Sequence, residues 1–223
     1  QKKNKIPTLV TKNINSISAI KWISDIQPDL ILCIGWSQIL RKEIIDIPKL
    51  YTIGYHPTNL PENRGRHPLI WSLVLGLKNM VSTYFIISER VDYGHILSKR
   101  KVLIKKSDNA GSMYLKLEKV ASNQIISIIN KIKKNNLVIK PIGNSKGNIW
   151  RRRYNSDGKV DWRMTANAIH NLTRALNFPY DGAYFVYKEK KYTLIKTKII
   201  KLNKKNIEPG KVIMAKNRKP IIK

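Results

Sequence analysis

The stretch LYTIGYHPTNLPENRGRHP, residues 50–68, decides how the chain is read. Its first six residues, LYTIGY (50–55), have the apolar, aromatic and β-branched character of a buried strand. His56 follows, and Pro57 behind it biases the His56 backbone toward an extended conformation, which fixes the direction of the side chain. The prolines and glycine of 56–68 mark a loop, and its His, Asn and Arg side chains make it a structured loop rather than a linker. In open α/β sheets, ligands bind outside the carboxyl ends of strands, and His56 stands at such an end. Asp92 comes 36 residues after His56 and follows a second strand-like run, VSTYFIIS (81–88), so a neighbouring strand can bring its carboxylate toward the imidazole. A histidine oriented by a carboxylate can shuttle a proton near neutral pH. The same two residues can also form a structural hydrogen bond, and taken alone they leave both readings open.

Working outward, INSISAIKWISDI (14–26) places Ile14, Ile17, Trp22, Ile23 and Ile26 on one helical stripe that Pro28-Asp29 stops. LILCIG (30–35) reads as a short buried parallel strand, SQILRKEII (37–45) as a helix, and 69–77 as another helix. HILSKRKVLI (95–104) reads as a strand. Asp108 or Asn109 can cap a long helix whose stripe is Tyr114, Leu117, Ala121, Ile125, Ile128 and Ile132. Residues 137–160 are polar and glycine-bearing and carry three successive arginines, 151–153, so the domain boundary falls here. A helix over 162–176, a hairpin of YFVY (184–187) with YTLIKTKII (192–200), and a strand KVIMA (211–215) come after it. The expected architecture is α/β: a parallel-sheet core over 1–137, then a linker helix and a small β-rich subdomain over 138–223. The pattern opens partway into an α/β order without an initiator Met, so an N-terminal βαβ portion is expected to be missing from this sequence.

The chain has 223 residues, enough for one sizeable domain with a small appendage, and 42% hydrophobic content excludes global disorder. No apolar run approaches the ~20 residues of a membrane-spanning helix, so no membrane partner is expected. The polar, basic start argues against a signal peptide. A single cysteine, Cys33, expected to be buried and inert, excludes a disulfide framework and multi-cysteine metal sites; a reducing cytoplasm is the default. The net charge is +29, of which residues 101–223 carry +22. Such a balance fits a phosphate-bearing partner, and it equally fits the Lys, Ile and Asn enrichment of an AT-rich genome with the lysines solvated.

TIGYHPTNLPENRGRHPLIWSL and, further on, VDYGHIL resemble the catalytic core of the folate-dependent formyltransferases. The family pattern is a strand ending in Asn-x-His, a Leu/Pro turn, Arg-Gly, a Pro-led helix and a later Asp-x-Gly. Here His56 matches the histidine, Thr58, Leu60 and Pro61 the turn, Arg64-Gly65 the Arg-Gly, Pro68 the helix start, and Asp92 with Gly94 the Asp-x-Gly. The segment 157–184 is similar to the stretch behind the catalytic domain in the tRNA-acting and sugar-acting members, so the resemblance runs over almost the whole chain. It implies a Rossmann-like sheet, 10-formyltetrahydrofolate as cosubstrate without a metal, and direct transfer of the formyl group to a primary amine. His56 would stabilise the oxyanion or relay a proton, and Asp92 would orient His56 and accept the ammonium proton. Ile34, Gly35, Trp36, Ile39, Leu40, Val91 and Gly94 would lie against the folate. The acceptor implied first is a nucleotide-linked amino sugar, because Asn63-Arg64-Gly65 with Trp71 looks more like the sugar enzymes. The alternatives are the initiator methionyl-tRNA, which the basic second half favours, and an inactive formyltransferase-like binding protein. A homodimer is among the assemblies this reading allows.

The departure from the pattern is Gly54, where the family carries the Asn whose carboxamide helps hold the oxyanion. Losing one such donor typically costs about 10²–10³ in rate, so Asn59 or Asn63 is expected to replace it. Arg64 either recognises a phosphate or, as the turn reading prefers, pairs with Glu62 or a carbonyl, with Gly65 supplying backbone freedom. Arg151, Arg152 and Arg153 are candidates for gripping acceptor phosphates, or a solvated run. Trp150, Trp162, Tyr184 and Tyr187 are expected to form the small core of the appended subdomain, and His67, His95 and His170 to be exposed or structural.

Overall fold

The computed structural model describes residues 6–142, 146–216 and 219–223. The basic start, 1–5, and residues 143–145 of the expected boundary lie outside the described residues. The elements are α1 (Ile17–Ile26), β1 (Leu30–Cys33), α2 (Lys42–Ile45), β2 (Tyr51–His56), β3 (Arg64–Gly65), α3 (Pro68–Val74), β4 (Asn79–Ile86), β5 (Ile96–Leu103) and α4 (Ala110–Lys133). They continue with β6 (Ile149–Trp150), a 3₁₀ turn (Asn155–Gly158), α5 (Ala166–Ala175), β7 (Ala183–Tyr187), β8 (Lys190–Leu194), β9 (Val212–Lys216) and β10 (Lys219–Ile222). Two compact units are interleaved in sequence: 1–65, 81–101 and 119–149 in the first, 66–80, 102–118 and 150–223 in the second.

The first unit holds the sheet, in the order β1-β2-β4-β5. The expectation of a parallel sheet holds for β1 and β2, paired from Leu30↔Tyr51 to Cys33↔Gly54. It fails at β4, which runs antiparallel to β2 with Ile53↔Ile86 and His56↔Thr83. Because β4 starts where β2 ends, the loop after His56 stays at the carboxyl end of β2 and is built up there. The core is Ile53, Tyr84 and Leu97 from the sheet against Ala121 and Ile128, with Ile125 and Ile132 partly buried beside them. A second cluster, Leu60, Phe85 and Ile96, anchors the loop after β2.

Several expected elements are shorter than their sequence pattern. Residues 37–41 are not helical, and α2 is only Lys42–Ile45. The Gln38 carboxamide bonds Ile14 N–H and the Lys12 carbonyl, and Asn15 takes up the Ile39 carbonyl and Arg41 N–H, so backbone groups a helix would use are already engaged. β1 is an edge strand, which leaves Leu32 exposed and Cys33 only half-buried, with desolvation pushing its thiol pKa up. Of the expected stripe, Ile17 and Ile26 are exposed, and the fully buried residue of α1 is Ala19, which lies outside that stripe.

In the second unit Val160, Leu172 and Ala183 form the core with Trp162 and Phe185 packed on it. Trp162 therefore fulfils its expected role, whereas Tyr187 is exposed and Trp150 packs against Trp71 at 6.4 Å between ring centroids. The β7–β8 hairpin forms, but its ladder ends at Ala183↔Leu194, beyond which Gly182 takes φ +94°. Residues 195–200 are not in a strand, and β8 stops short of the predicted extension, at Leu194. The helix expected over 162–176 is α5, capped by the Thr165 hydroxyl accepting from Ala168 N–H. Before α4, the Asn109 side chain accepts from Ser112 N–H, the cap that the sequence offered as one of two choices.

Asp108, the other choice, is buried and accepts from Lys105 N–H, Ser112 Oγ and Lys116 Nζ. Burial pushes its carboxyl up, but the bonds from Lys116, Lys105 and Ser112 outweigh that and hold it below its ordinary 3.8. A depressed carboxyl stabilises the fold above its unfolded-state value and loses that contribution as pH falls through the folded one. Asp108→Asn is expected to cost about 1.5–3 kcal/mol at pH 7. The gap from the parent chain should narrow in urea titrations run at pH 3.

Candidate active site

His56 is the last residue of β2 and is 8% exposed. Its Nε2 lies 3.2 Å from the Asn63 carbonyl, so Nε2 carries a proton and donates it. In a neutral ring that tautomer leaves a lone pair on Nδ1, and Nδ1 faces Asp92 Oδ1 at 4.0 Å. The sequence prediction that residues 56 and 92 come together therefore holds in the geometry.

Asp92 stands in the left-handed region, φ +59°, as do Asn63 at +60° and Gly65 at +100°. Its Oδ2 accepts from Gly65 N–H at 3.1 Å and its main-chain carbonyl accepts from Arg64 Nε at 3.1 Å. Arg64 is 2% exposed; Nη1 donates to the Lys146 carbonyl at 2.9 Å, and the guanidinium lies 3.6 Å from the centre of the Tyr93 ring. Of the alternatives open for Arg64, the carbonyl-pairing turn is the one formed, since Glu62 bonds Asn59 instead. The Arg64 side chain thus ties the loop after β2 to the loop that carries Asp92.

Gly54 has a physical reason. A Cβ there would lie 2.8 Å from Phe85 Cζ and 2.9 Å from Ile87 Cγ1, so the space for the family's asparagine side chain is filled from β4 and the residue after it. Of the two replacements, the Asn59 carboxamide is engaged, donating to Glu62 Oε2 and accepting from Lys99 Nζ. The Asn63 carboxamide makes no hydrogen bond among the described residues, while its main chain touches His56 through the carbonyl and Asn148 Oδ1 through N–H. Gly94 is buried, and a Cβ on it would overlap the Ile86 carbonyl at 1.4 Å, so a close backbone approach requires glycine there.

Around the end of β1, Ile34, Trp36 and Ile39 are exposed, as is Val91, while Leu40 is buried. Gly35 takes φ +64° with open space on its Cβ side. Lys42 and Glu89, 3.8 Å apart, join the 34–42 and 89–91 segments. In the second unit the three arginines separate: Arg151 bonds both Asp157 carboxylate oxygens, and Arg153 is buried with its guanidinium 4.7 Å from the Trp71 ring centre. Arg152 is exposed, 5.6 Å from the Tyr154 ring centre. Trp71 donates to the Arg151 carbonyl. His95 is exposed and His170 is half-buried on α5 against the Thr197 hydroxyl, as expected. Half-buried His67 is held below its ordinary pKa by desolvation and by Arg152, Arg153 and Arg66.

Reading the sequence missed the outer supports. Lys99 donates to the Leu60 carbonyl, Thr83 donates to the Thr58 carbonyl, Asn148 holds residues 63 and 64, and Gly147 lets the backbone pass 2.1 Å, measured from a would-be Cβ, from the Pro61 carbonyl. Only the glycines of 137–160 hinted at this, and they read as a linker. Gly54→Asn is expected to lower stability by about 1–3 kcal/mol through overpacking. Phe85→Leu in the same chain should recover part of the loss in chemical denaturation.

These features define an α/β fold with a buried His–Asp pair at the end of a strand. Residues 5–129 match the family model of formyl transferases, and residues 154–223 match that of the formyl transferase C-terminal domain. The chain is 33% identical over 214 residues to a methionyl-tRNA formyltransferase of Thermodesulfovibrio yellowstonii, covering 95% of this chain and 67% of the relative. It is 34% identical over 197 residues to the bifunctional polymyxin resistance protein ArnA of Wigglesworthia glossinidia brevipalpis, covering 88% of this chain. The chain spans only 30% of that ArnA relative's length. In fold it resembles a sugar N-formyltransferase from Shewanella sp FDAARGOS_354, with TM-score 0.70, 22% identity and coverage of 85% and 77% of the two chains. It also resembles HypX from Aquifex aeolicus in complex with tetrahydrofolic acid, with TM-score 0.68, 19% identity and coverage of 86% and 33%. The chain belongs to the formyl transferase family.

Proposed function

We propose that the chain transfers a formyl group from 10-formyltetrahydrofolate to a primary amine, with residues 1–137 as the catalytic core. The observation that carries this reading is the buried His56 ring, bonded to the Asn63 carbonyl and facing Asp92 at 4.0 Å. The exposed apolar side chains of Ile34, Trp36, Ile39 and Val91, with open space at Gly35, suit the flat faces of a folate ring system. Gly94 fits that loop as a structural necessity, and Leu40 as an apolar support from beneath.

The reaction needs a neutral amine, a place for the negative charge that develops on the formyl oxygen, and an acceptor for the proton lost from nitrogen. As the amine nitrogen bonds to the formyl carbon, the carbonyl π electrons move onto oxygen. The free Asn63 carboxamide is the donor assigned to that oxygen, in place of the asparagine for which Gly54 leaves no room, while the His56 Nε2–H is held by the Asn63 carbonyl and Nδ1 is left to relay a proton. Asp92 takes the ammonium proton, directly or through water. The intermediate then collapses, expelling N10 of tetrahydrofolate, which receives the proton that Asp92 took from the amine. Arg64 and Gly65 are positioning residues, since they act on Asp92 through its carbonyl and its Oδ2.

For the acceptor, the favoured reading is a nucleotide-linked amino sugar. Arg151 and Arg153 are engaged with Asp157 and Trp71, while exposed Arg152 forms no ion pair among the described residues. That suits a diphosphate better than a run of phosphodiesters. Methionyl-tRNA is the second reading, favoured by the +22 carried by residues 101–223. Release of tetrahydrofolate from 10-formyltetrahydrofolate in the presence of nucleotide-linked amino sugars is the direct test. A shallow salt dependence is expected; a log–log slope of several units would assign the tRNA acceptor.

His56→Ala should lower turnover by about 10²–10⁴-fold with an unchanged unfolding transition, and a near-normal rate would refute the assignment. Asp92→Asn should be similarly damaging and should alter the pH–rate profile.

A further inference from the structure

Tyr93 stands between Asp92 and Gly94, and both faces of its ring are covered. Arg64 Cζ lies 3.6 Å from the ring centre and Arg90 Cζ lies 3.5 Å from it. Two guanidinium carbons that close to one centre would collide on a single face, so the ring is sandwiched between them. Arg64 is the buried member of the stack and Arg90 the exposed one. Arg90 is tied to the same turn. Its Nη2 donates to the Tyr93 hydroxyl at 2.8 Å, and its carbonyl accepts from Tyr93 N–H at 3.3 Å and from Ser88 Oγ at 3.0 Å.

The buried face of the ring is the one that bears on the site. Arg64 Nε and Nη1 have carbonyl acceptors on Asp92 and Lys146, but Nη2 is buried without a hydrogen-bond partner. Among the described residues no carboxylate pairs with Arg64. A buried cation that is only partly bonded is costly. The compensation that remains is the negative face of the Tyr93 ring, whose attraction for a cation grows as water is removed. Arg64 Nε in turn holds the Asp92 carbonyl at 3.1 Å, and Gly65 N–H holds Asp92 Oδ2. Asp92 has φ +59°, a conformation that is costly for a non-glycine residue and persists only under such supports. One guanidinium therefore separates the ring of Tyr93 from the residue that faces His56 at 4.0 Å.

We infer that Tyr93 is a positioning residue for formyl transfer: its π face holds the Arg64 guanidinium, and through it the Asp92 carboxylate, in the place from which Asp92 faces His56. The inference rests on the acyl-transfer reading. With both faces covered and its hydroxyl bonded to Arg90, the ring presents no face to a substrate, so it acts through Asp92.

The test changes the ring in the full chain and follows release of tetrahydrofolate from 10-formyltetrahydrofolate. The acceptor is a UDP-linked 4-amino sugar, or methionyl-tRNA if the salt dependence selects it. Tyr93→Leu keeps apolar bulk without a π face. It should lower kcat about 10–100-fold, leave KM for 10-formyltetrahydrofolate within about threefold, and shift the acid limb of the pH–rate profile. Tyr93→Phe keeps the face and should recover the rate to within about threefold of the parent. Tyr93→Phe variants carrying one, two and three ring fluorines weaken the face stepwise at nearly constant size, and log kcat should fall in step. If Tyr93→Leu does not fold, the fluorinated series decides. Equal rates in the Leu and Phe variants, a rate indifferent to fluorination, or a change confined to KM would overturn the positioning role. An active parent with an inactive His56→Ala variant and any of those results overturns the role of Tyr93 alone. A parent chain that releases no tetrahydrofolate with either acceptor, or an undiminished His56→Ala, overturns the acyl-transfer reading and this inference with it.

Discussion

The site depends on one buried cation. Arg64 has almost no contact with solvent, so its charge must be compensated from within. The compensation comes from the carbonyls of Asp92 and Lys146 and the face of Tyr93. The partners lie on two other stretches of chain, 92–93 and 146, and meeting the needs of one guanidinium therefore ties three segments together. Asp92 is held in a left-handed backbone conformation that a free loop would rarely adopt, and Gly65 N–H then has a carboxylate oxygen to bond. The spacing between Asp92 and His56 is a consequence of these contacts rather than of any bond between the pair.

The antiparallel return of β4 is the second constraint. It keeps the connection after His56 at one end of the sheet and sets Phe85 beside Gly54. The same pairing that brings the loop back to the imidazole also fills the space an asparagine side chain would need. Glycine at residue 54 and the packing of β4 thus go together, and the loop after β2 reaches the His56 ring through the Asn63 main-chain carbonyl. The positive charge of the chain is likewise divided. Part of it is used internally, as by Arg151 on Asp157 and Lys116 on Asp108, and part stands unpaired along α4 and β5.

Local sequence determined the strand that ends in His56, the rigid loop behind it, the Asn109 cap, the long helix and the β7–β8 hairpin. Each has short-range causes: apolar runs, proline restriction of the backbone, and side chains that bond nearby N–H groups. The pairing of His56 with Asp92 was legible because strand ends collect in one place, and the matched motif gave their order. Where non-local partners would intervene was beyond the reach of the sequence. The helix predicted over 37–45 gives way where the Asn15 side chain holds the Ile39 carbonyl and Arg41 N–H, and the strand predicted over 192–200 stops where its ladder with β7 ends at Ala183↔Leu194. The direction of β4, the fate of each of the three arginines, the engagement of Asn59 with Lys99 and the orphaned acceptor of Gln124 are likewise properties of contacts between distant residues. Propensity acts over a few residues, whereas these outcomes depend on which groups the finished packing leaves within reach of one another.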